Sequence, residues 1–304
     1  KRMTANKDVE NKFKKKTASL VAILLKGFGQ IMLQENSITG FLLLFGIFYG
    51  SFILGVAALL AVIAGTATAM LLKYDKSEID KGLYGFSAAL VGVAVLLFLK
   101  PVILSWLLII LGSSLATIIQ HFFIKRKIPV FTLPFVLVTW AIILFARTYF
   151  TETMLLPSTS INSTHDYFTF GFKGFGQVIF QDNLVSGILF FIAVFISSPI
   201  SALYGLAGGI VSAIIAFKFF VPIHDISMGL FSYNAVLCTI VFTGGQLKDG
   251  IWVLFSVLFS LLVSLFLAAF AIIPLTFPFV LASCITLFLK SKLIKNRQVI
   301  ALEK

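Results

Sequence analysis

The chain has 304 residues, of which 59% are hydrophobic and 12% charged, and its mean hydropathy is +1.05. Ordinary soluble domains are about 25% charged, and one soluble core stops growing near ~250–300 residues. A soluble enzyme, a secreted disulfide domain and a disordered chain are thereby excluded. The net charge of +12 would suit a nucleic-acid binder, but the basic residues flank apolar runs instead of lining a face, so no nucleic-acid partner is expected. The composition predicts an all-α polytopic membrane protein. The apolar runs are long and continuous, unlike the weak alternation of a membrane β-barrel.

In chain order, residues 1–16 form a basic tail with seven Lys/Arg against two Asp/Glu. No cleavable signal peptide is expected there, because the stretch is too polar. Apolar blocks follow at about 17–33, 37–72, 83–99, 101–121 and 128–149. The second block is long enough for two spans of ~20 residues. Residues 17–149 thus read as a first transmembrane repeat and the polar stretch 150–168 as a connecting loop. Blocks at about 169–180, 184–217, 226–244, 250–272 and 273–290 make a second repeat, 169–290, and residues 291–304 form a second basic tail. The positive-inside rule places both tails in the cytoplasm, which requires an even number of crossings.

The two halves match in letters. Lys26-Gly27-Phe28-Gly29-Gln30 returns as Lys173-Gly174-Phe175-Gly176-Gln177, an offset of 147. Glu35-Asn36 and Gly40 return as Asp182-Asn183 and Gly187. Gly82-Leu83-Tyr84-Gly85-Phe86 aligns with Gly229-Leu230-Phe231-Ser232-Tyr233 at the same offset, and Thr132-Leu133-Pro134-Phe135 with Thr276-Phe277-Pro278-Phe279 at 144. Lys125-Arg126-Lys127 precedes Pro129, whereas uncharged Ala271-Ile272-Ile273 precedes Pro274. Charge on one copy alone places the two ends on opposite membrane sides. The expected fold is two inverted repeats with about ten transmembrane helices and two re-entrant half-helices.

Four kinds of residue could carry function. Gln30 and Gln177 each offer an acceptor and a donor beside glycine-weakened backbone; such glutamines also serve as glue between helices. Thr132 and Thr276 precede prolines that free backbone carbonyls, though a kinked helix with a self-bonded threonine reads the same way. Phe86 with Leu90, and Tyr233 with Leu237, lie four apart on one helix face and would wall a slot. Lys26, Glu35, Lys173 and Asp182 stand at block edges, where anchoring or local pairing accounts for them as well as function does. His121, His165 and His224 share no ligand spacing, so neither a metal nor any other cofactor is expected.

These repeated segments resemble the urea transporter family, whose signature Leu-Pro-x-x-Thr-x-Pro-Phe appears once per half. Here it reads Ile128-Pro129-Val130-Phe131-Thr132-Leu133-Pro134-Phe135 and, one residue shorter, Pro274-Leu275-Thr276-Phe277-Pro278-Phe279. The resemblance covers about residues 17–290. It implies an inverted-repeat fold, a homotrimer in membrane lipid and a passive path for urea through each protomer, with no enzymatic activity. By motif position it implies Gln30 and Gln177 at two outer amide sites. Phe86, Leu90, Tyr233, Leu237, Leu33, Val178 and Phe180 would form the slot walls, and Thr132 and Thr276 the centre. The chain departs from the pattern at Ser87-Ala88, where relatives have Asn-Gly, and at Tyr233, where they have phenylalanine. These departures leave open another small amide, ammonia or water as the solute, and ion coupling remains a rival to passive flow. The shortage of soluble loops points to a bacterial inner membrane, with a eukaryotic plasma membrane as the alternative.

Overall fold

In the computed structural model, residues 19–155 and 169–302 are described, with side chains to residue 293. The first tail, 1–16, and most of the 150–168 connection lie outside them. The first half runs α1 (Ser19–Met32, ending in a 3-10 turn), α2 (Ser37–Gly50), α3 (Phe52–Leu71), α4 (Lys76–Asp80), α5 (Phe86–Phe98), α6 (Ile103–Lys125) and α7 (Leu133–Tyr149). The second runs α8 (Phe170–Gln177), α9 (Leu184–Ser197), α10 (Pro199–Lys218), α11 (Ile223–Ser227), α12 (Tyr233–Phe242), α13 (Leu247–Ala269) and α14 (Phe277–Leu302). Among the described residues, α3, α6, α10 and α13 are each long and apolar enough to cross a bilayer alone, and α1 with α2, bent by 78°, makes a further candidate. The protein is a helical integral membrane protein. Its apolar side chains, such as Phe41, Phe45, Leu111 and Leu262, point outward. Serine, threonine and glycine gather inside, where they let helices approach closely.

The duplication is written into the backbone. Among the described residues ten have positive φ, and they fall into five pairs at the repeat offsets. Leu33 pairs with Phe180 (59° and 58°), Lys73 with Phe220 (55° and 59°), and Gly82 with Gly229 (75° and 81°). Lys127 pairs with Ala271 (56° and 53°), and Phe131 with Leu275 (48° and 45°). Left-handed backbone is costly for a residue with a Cβ, so its recurrence at matched sites marks turns that each half needs. At Gly82 a side chain has no room either, since a Cβ would lie 2.5 Å from the backbone nitrogen of Gly27. The helix caps repeat too. The side chains of Asn36 and Asn183 cap α2 and α9, and those of Ser51 and Ser198 cap α3 and α10. Each satisfies backbone N–H groups that a helix start leaves open.

The halves meet through reciprocal contacts. Thr39 on α2 donates to the carbonyl of Ala193 on α9 at 2.7 Å, and Ser186 on α9 donates to Gly46 on α2, also at 2.7 Å. Each donor and each acceptor is the repeat counterpart of the other. The same exchange occurs at the second seam. Trp140 on α7 donates to Ile273 at 2.9 Å, and Cys284 on α14 donates to Pro129 at 3.2 Å. When residue i of one unit meets j of the other and the reverse also holds, the units are related by a two-fold rotation.

Candidate functional site

The carbonyl-freeing turns before α7 and α14 bring two of the expected residues into contact. Thr132 and Thr276 share a hydrogen bond of 2.6 Å between their hydroxyls and are 3% and 1% exposed. They are counterparts, so this contact sits where the two halves face each other. Each threonine precedes a proline-bearing first turn, in which one helical N–H is missing from the outset. The neighbouring left-handed residues, Phe131 and Leu275, turn their carbonyls out of line with the helices that follow.

The expected slot-wall residues belong to the main core. Phe86 and Leu90 of α5, Tyr233 and Leu237 of α12, and Val178 belong to one buried cluster shared by both halves, with Leu33 and Phe180 packed against it. Phe180 stands edge-on to Phe135 across the halves at 6.1 Å. Leu33 and Phe180 hold their places through left-handed backbone just after the Gly-Phe-Gly-Gln segments. The next residues brace them, because Gln34 donates to Met32 and Gln181 to Ile179 at 3.0 and 3.1 Å.

The two glutamines of the repeat stand in different surroundings. Gln30 donates to the carbonyl of Lys81 at 3.0 Å, tying α1 to the turn before α5. Gln177 is 7% exposed, and its side chain makes no hydrogen bond among the described residues. It opens into a cavity of about 470 Å³ also lined by Phe180, Tyr233, Leu275, Asp182 and Asp225. Among the described residues no hydrogen bond joins the two glutamines, and the cavity beside Gln177 is also lined by Leu97 and Phe98 of the first half.

The sequence reading missed a clamp on the second half. Tyr233 donates from its hydroxyl to the carbonyl of Leu275 at 2.5 Å, and Asn234 donates to the same oxygen at 3.3 Å. The Asn234 side-chain oxygen in turn accepts from the backbone N–H of Phe279 at 3.2 Å. The first half has no such clamp. Phe86 lacks a hydroxyl, and the buried Ser87 hydroxyl finds no partner. The letters show only that Phe86-Ser87 is replaced by Tyr233-Asn234 at the repeat offset, not which carbonyl those side chains reach.

The candidate site also differs in charge between the halves. Lys26 pairs with Glu35 at 3.3 Å. Tyr84 donates to the Glu78 carboxylate and lies 2.8 Å from His121 Nδ1, and the His121 ring stacks on Tyr74 with centroids 3.5 Å apart.

The urea transporter family model matches residues 21–291. Urea transporter 1 of Rattus norvegicus is 27% identical over 298 aligned positions, covering 88% of this chain and 77% of its own. Urea transporter 1 of Ovis aries is 27% identical over 321 aligned positions, covering 94% of this chain and 82% of its own. The match takes in both copies of the repeat and the two threonines that meet between them: this chain belongs to the urea transporter family.

Proposed function

We propose that this protein passes urea passively across a membrane through a narrow path between its two halves. The observation that carries the reading is the meeting of Thr132 and Thr276 at 2.6 Å, inside a chain whose buried apolar residues from both repeats form one core. Urea is flat, neutral and rich in N–H donors. Stripping water from such a group without replacement costs roughly 2–7 kcal/mol. The Thr132 and Thr276 hydroxyls, the amides of Gln30 and Gln177 and the turned-out Phe131 carbonyl replace that water in sequence. Phe86, Leu90, Leu33, Val178, Phe180, Tyr233 and Leu237 admit only a thin solute. Ions lose hydration in this apolar slot and gain nothing in return. Contacts stay individually weak, so the solute also leaves.

The proposed topology is an inverted repeat of ten crossings with α5 and α12 as half-helices. At 1.5 Å per residue, the 13 residues of α5 and the 10 of α12 extend ~20 and ~15 Å, short of a ~30 Å hydrocarbon core. Lys125, Arg126 and Lys127 at the end of α6 face uncharged counterparts at the end of α13, which supports opposite sides for the two ends. Both termini then lie in the cytoplasm. The proposal includes a homotrimer in a bacterial inner membrane, each protomer with its own path, and no enzymatic step. Tyr233 and Ser87 favour one second reading, a path of this fold tuned to another short amide.

Stopped-flow light scattering on proteoliposomes tests this, with an inward urea gradient and no ion gradient. Fast, saturating urea entry is expected. Entry no faster than protein-free liposomes would overturn the urea reading, and entry that needs an ion gradient would overturn passive flow.

A further inference from the structure

The two ends of the path differ in charge, and the difference follows the repeat residue by residue. In the first half, Glu35 is paired with Lys26, and Glu78 is satisfied by Tyr84 and through it His121. Their counterparts, Asp182 and Asp225, both line the 470 Å³ cavity. Phe231 stands where Tyr84 stood and Leu265 where His121 stood, so the donors that satisfied Glu78 are gone. Among the described residues Lys173, the counterpart of Lys26, forms no ion pair with Asp182. The first-half cations Lys73, Lys76, Lys81, Lys125, Arg126 and Lys127 are replaced by Phe220, Ile223, Met228, Ala269, Phe270 and Ala271. Met228 is itself part of the cavity wall. The same cavity is lined by Gln177, more than nine-tenths buried and with no side-chain hydrogen bond among the described residues.

We infer that this second-half mouth is a binding site for a planar N–H-bearing cation of the guanidinium class. Guanidinium has the trigonal shape of urea with an amino group in place of the oxygen. Its parallel N–H groups match a carboxylate in bidentate fashion, and the Gln177 carbonyl accepts a further N–H. The ligand stops there, because the slot beyond offers no charge to replace its hydration. It therefore blocks the path from one side. The carboxylates are partly open to water, so binding is weak and falls in the millimolar range, about 4 kcal/mol at 1 mM. This block deepens the urea reading and rests on it; the binding itself does not.

The test uses the full-length protein in detergent, with methylguanidinium observed by saturation-transfer NMR at constant ionic strength. Millimolar binding is expected, weakened about tenfold in the double variant Asp182→Asn with Asp225→Asn. Met228→Lys, which restores the cation of the first half and keeps both carboxylates, is expected to weaken it as well and guards against misfolding of the double variant. In proteoliposomes, millimolar guanidinium is expected to slow urea entry through the unsubstituted protein, and this sensitivity, normalised to each variant's own entry rate, is expected to fall in the variants. Absent binding, or binding and block unchanged by the variants, overturns the site. Aspartate-dependent binding by a protein that passes no urea upholds the site and overturns the urea reading instead.

Discussion

Thr132 and Thr276, 144 residues apart in the chain, share one buried hydrogen bond of 2.6 Å. A hydroxyl pair has two hydrogens and needs only one for the mutual bond, so the other points elsewhere along the path. Each single Thr→Val change leaves the facing hydroxyl unsatisfied and is expected to cost about 1–3 kcal/mol. The double Thr→Val variant removes both partners and should be closer to neutral in stability. Its urea entry should nevertheless fall well below that of the unsubstituted protein, since no hydroxyl remains at the centre. Thermal unfolding in detergent and stopped-flow entry separate the two effects. Normal entry by a stable double variant would remove the pair from the mechanism.

The glutamines should respond unequally. Gln30→Ala breaks a bond to Lys81 and is expected to lower stability by about 0.5–1.5 kcal/mol as well as slow urea. The Gln177 side chain has no hydrogen bond to lose among the described residues, so Gln177→Ala should slow urea with little change in unfolding temperature. A stability loss as large as that of Gln30→Ala would mean that Gln177 holds the fold instead of meeting the solute.

The Tyr233 clamp predicts a shift in selectivity. Tyr233→Phe frees one lone pair of the Leu275 carbonyl and keeps the Asn234 bond, so the stability cost should stay near ~1 kcal/mol. The freed acceptor favours solutes with more N–H groups. The entry ratio of urea to acetamide should rise, and it is measured by running both solutes on one preparation. An unchanged ratio would place that carbonyl outside the path.

The reciprocal bonds between α2 and α9 give a structural control. Thr39→Val and Ser186→Ala each remove a buried donor to a counterpart carbonyl. Each is expected to cost about 0.5–1.5 kcal/mol, the net worth of one buried hydrogen bond, because each carbonyl keeps its helical N–H partner, and the two losses should be alike because the contacts are reciprocal. Strongly unequal unfolding shifts would argue against equivalent seams.

A last substitution tests the turns. Gly82→Ala meets both a φ of 75° and a backbone nitrogen 2.5 Å from the new Cβ. It should reduce the folded yield sharply, and Gly229→Ala, with a φ of 81°, should do the same. Normal size-exclusion profiles for both would show that these turns yield more readily than their packing implies.

Much of the fold was legible because a duplication doubles every signal. The letters paired Gly82 with Gly229 and Asn36 with Asn183 at one offset, and the structure shows each pair in matching roles, at left-handed turns and at helix starts. The limits of the helices were harder to read. Apolar runs do not reveal where α5 and α12 stop, because a half-span and a full span share one composition. The candidate site was partly legible: Thr132 and Thr276 stood out through their prolines. The left-handed backbone at Phe131 and Leu275 did not, since neither is the glycine that normally marks such a turn. The Tyr233 clamp was hidden for another reason. A hydroxyl in an apolar run does not reveal which carbonyl it reaches, and Leu275 is 42 positions away.

The bonds that join the halves at α2–α9 and α7–α14 have a consequence for how speed depends on temperature. A carrier that rocked one half against the other would break the bonds of Thr39, Ser186, Trp140 and Cys284 in every cycle, and re-form them afterwards. The apolar seams around them would open as well, and packed interfaces shift between discrete states instead of stretching. Such a cycle would show a steep Arrhenius slope. With the seams closed throughout, the barrier is only the exchange of water for fixed acceptors, and entry should quicken on warming little more than diffusion in water does.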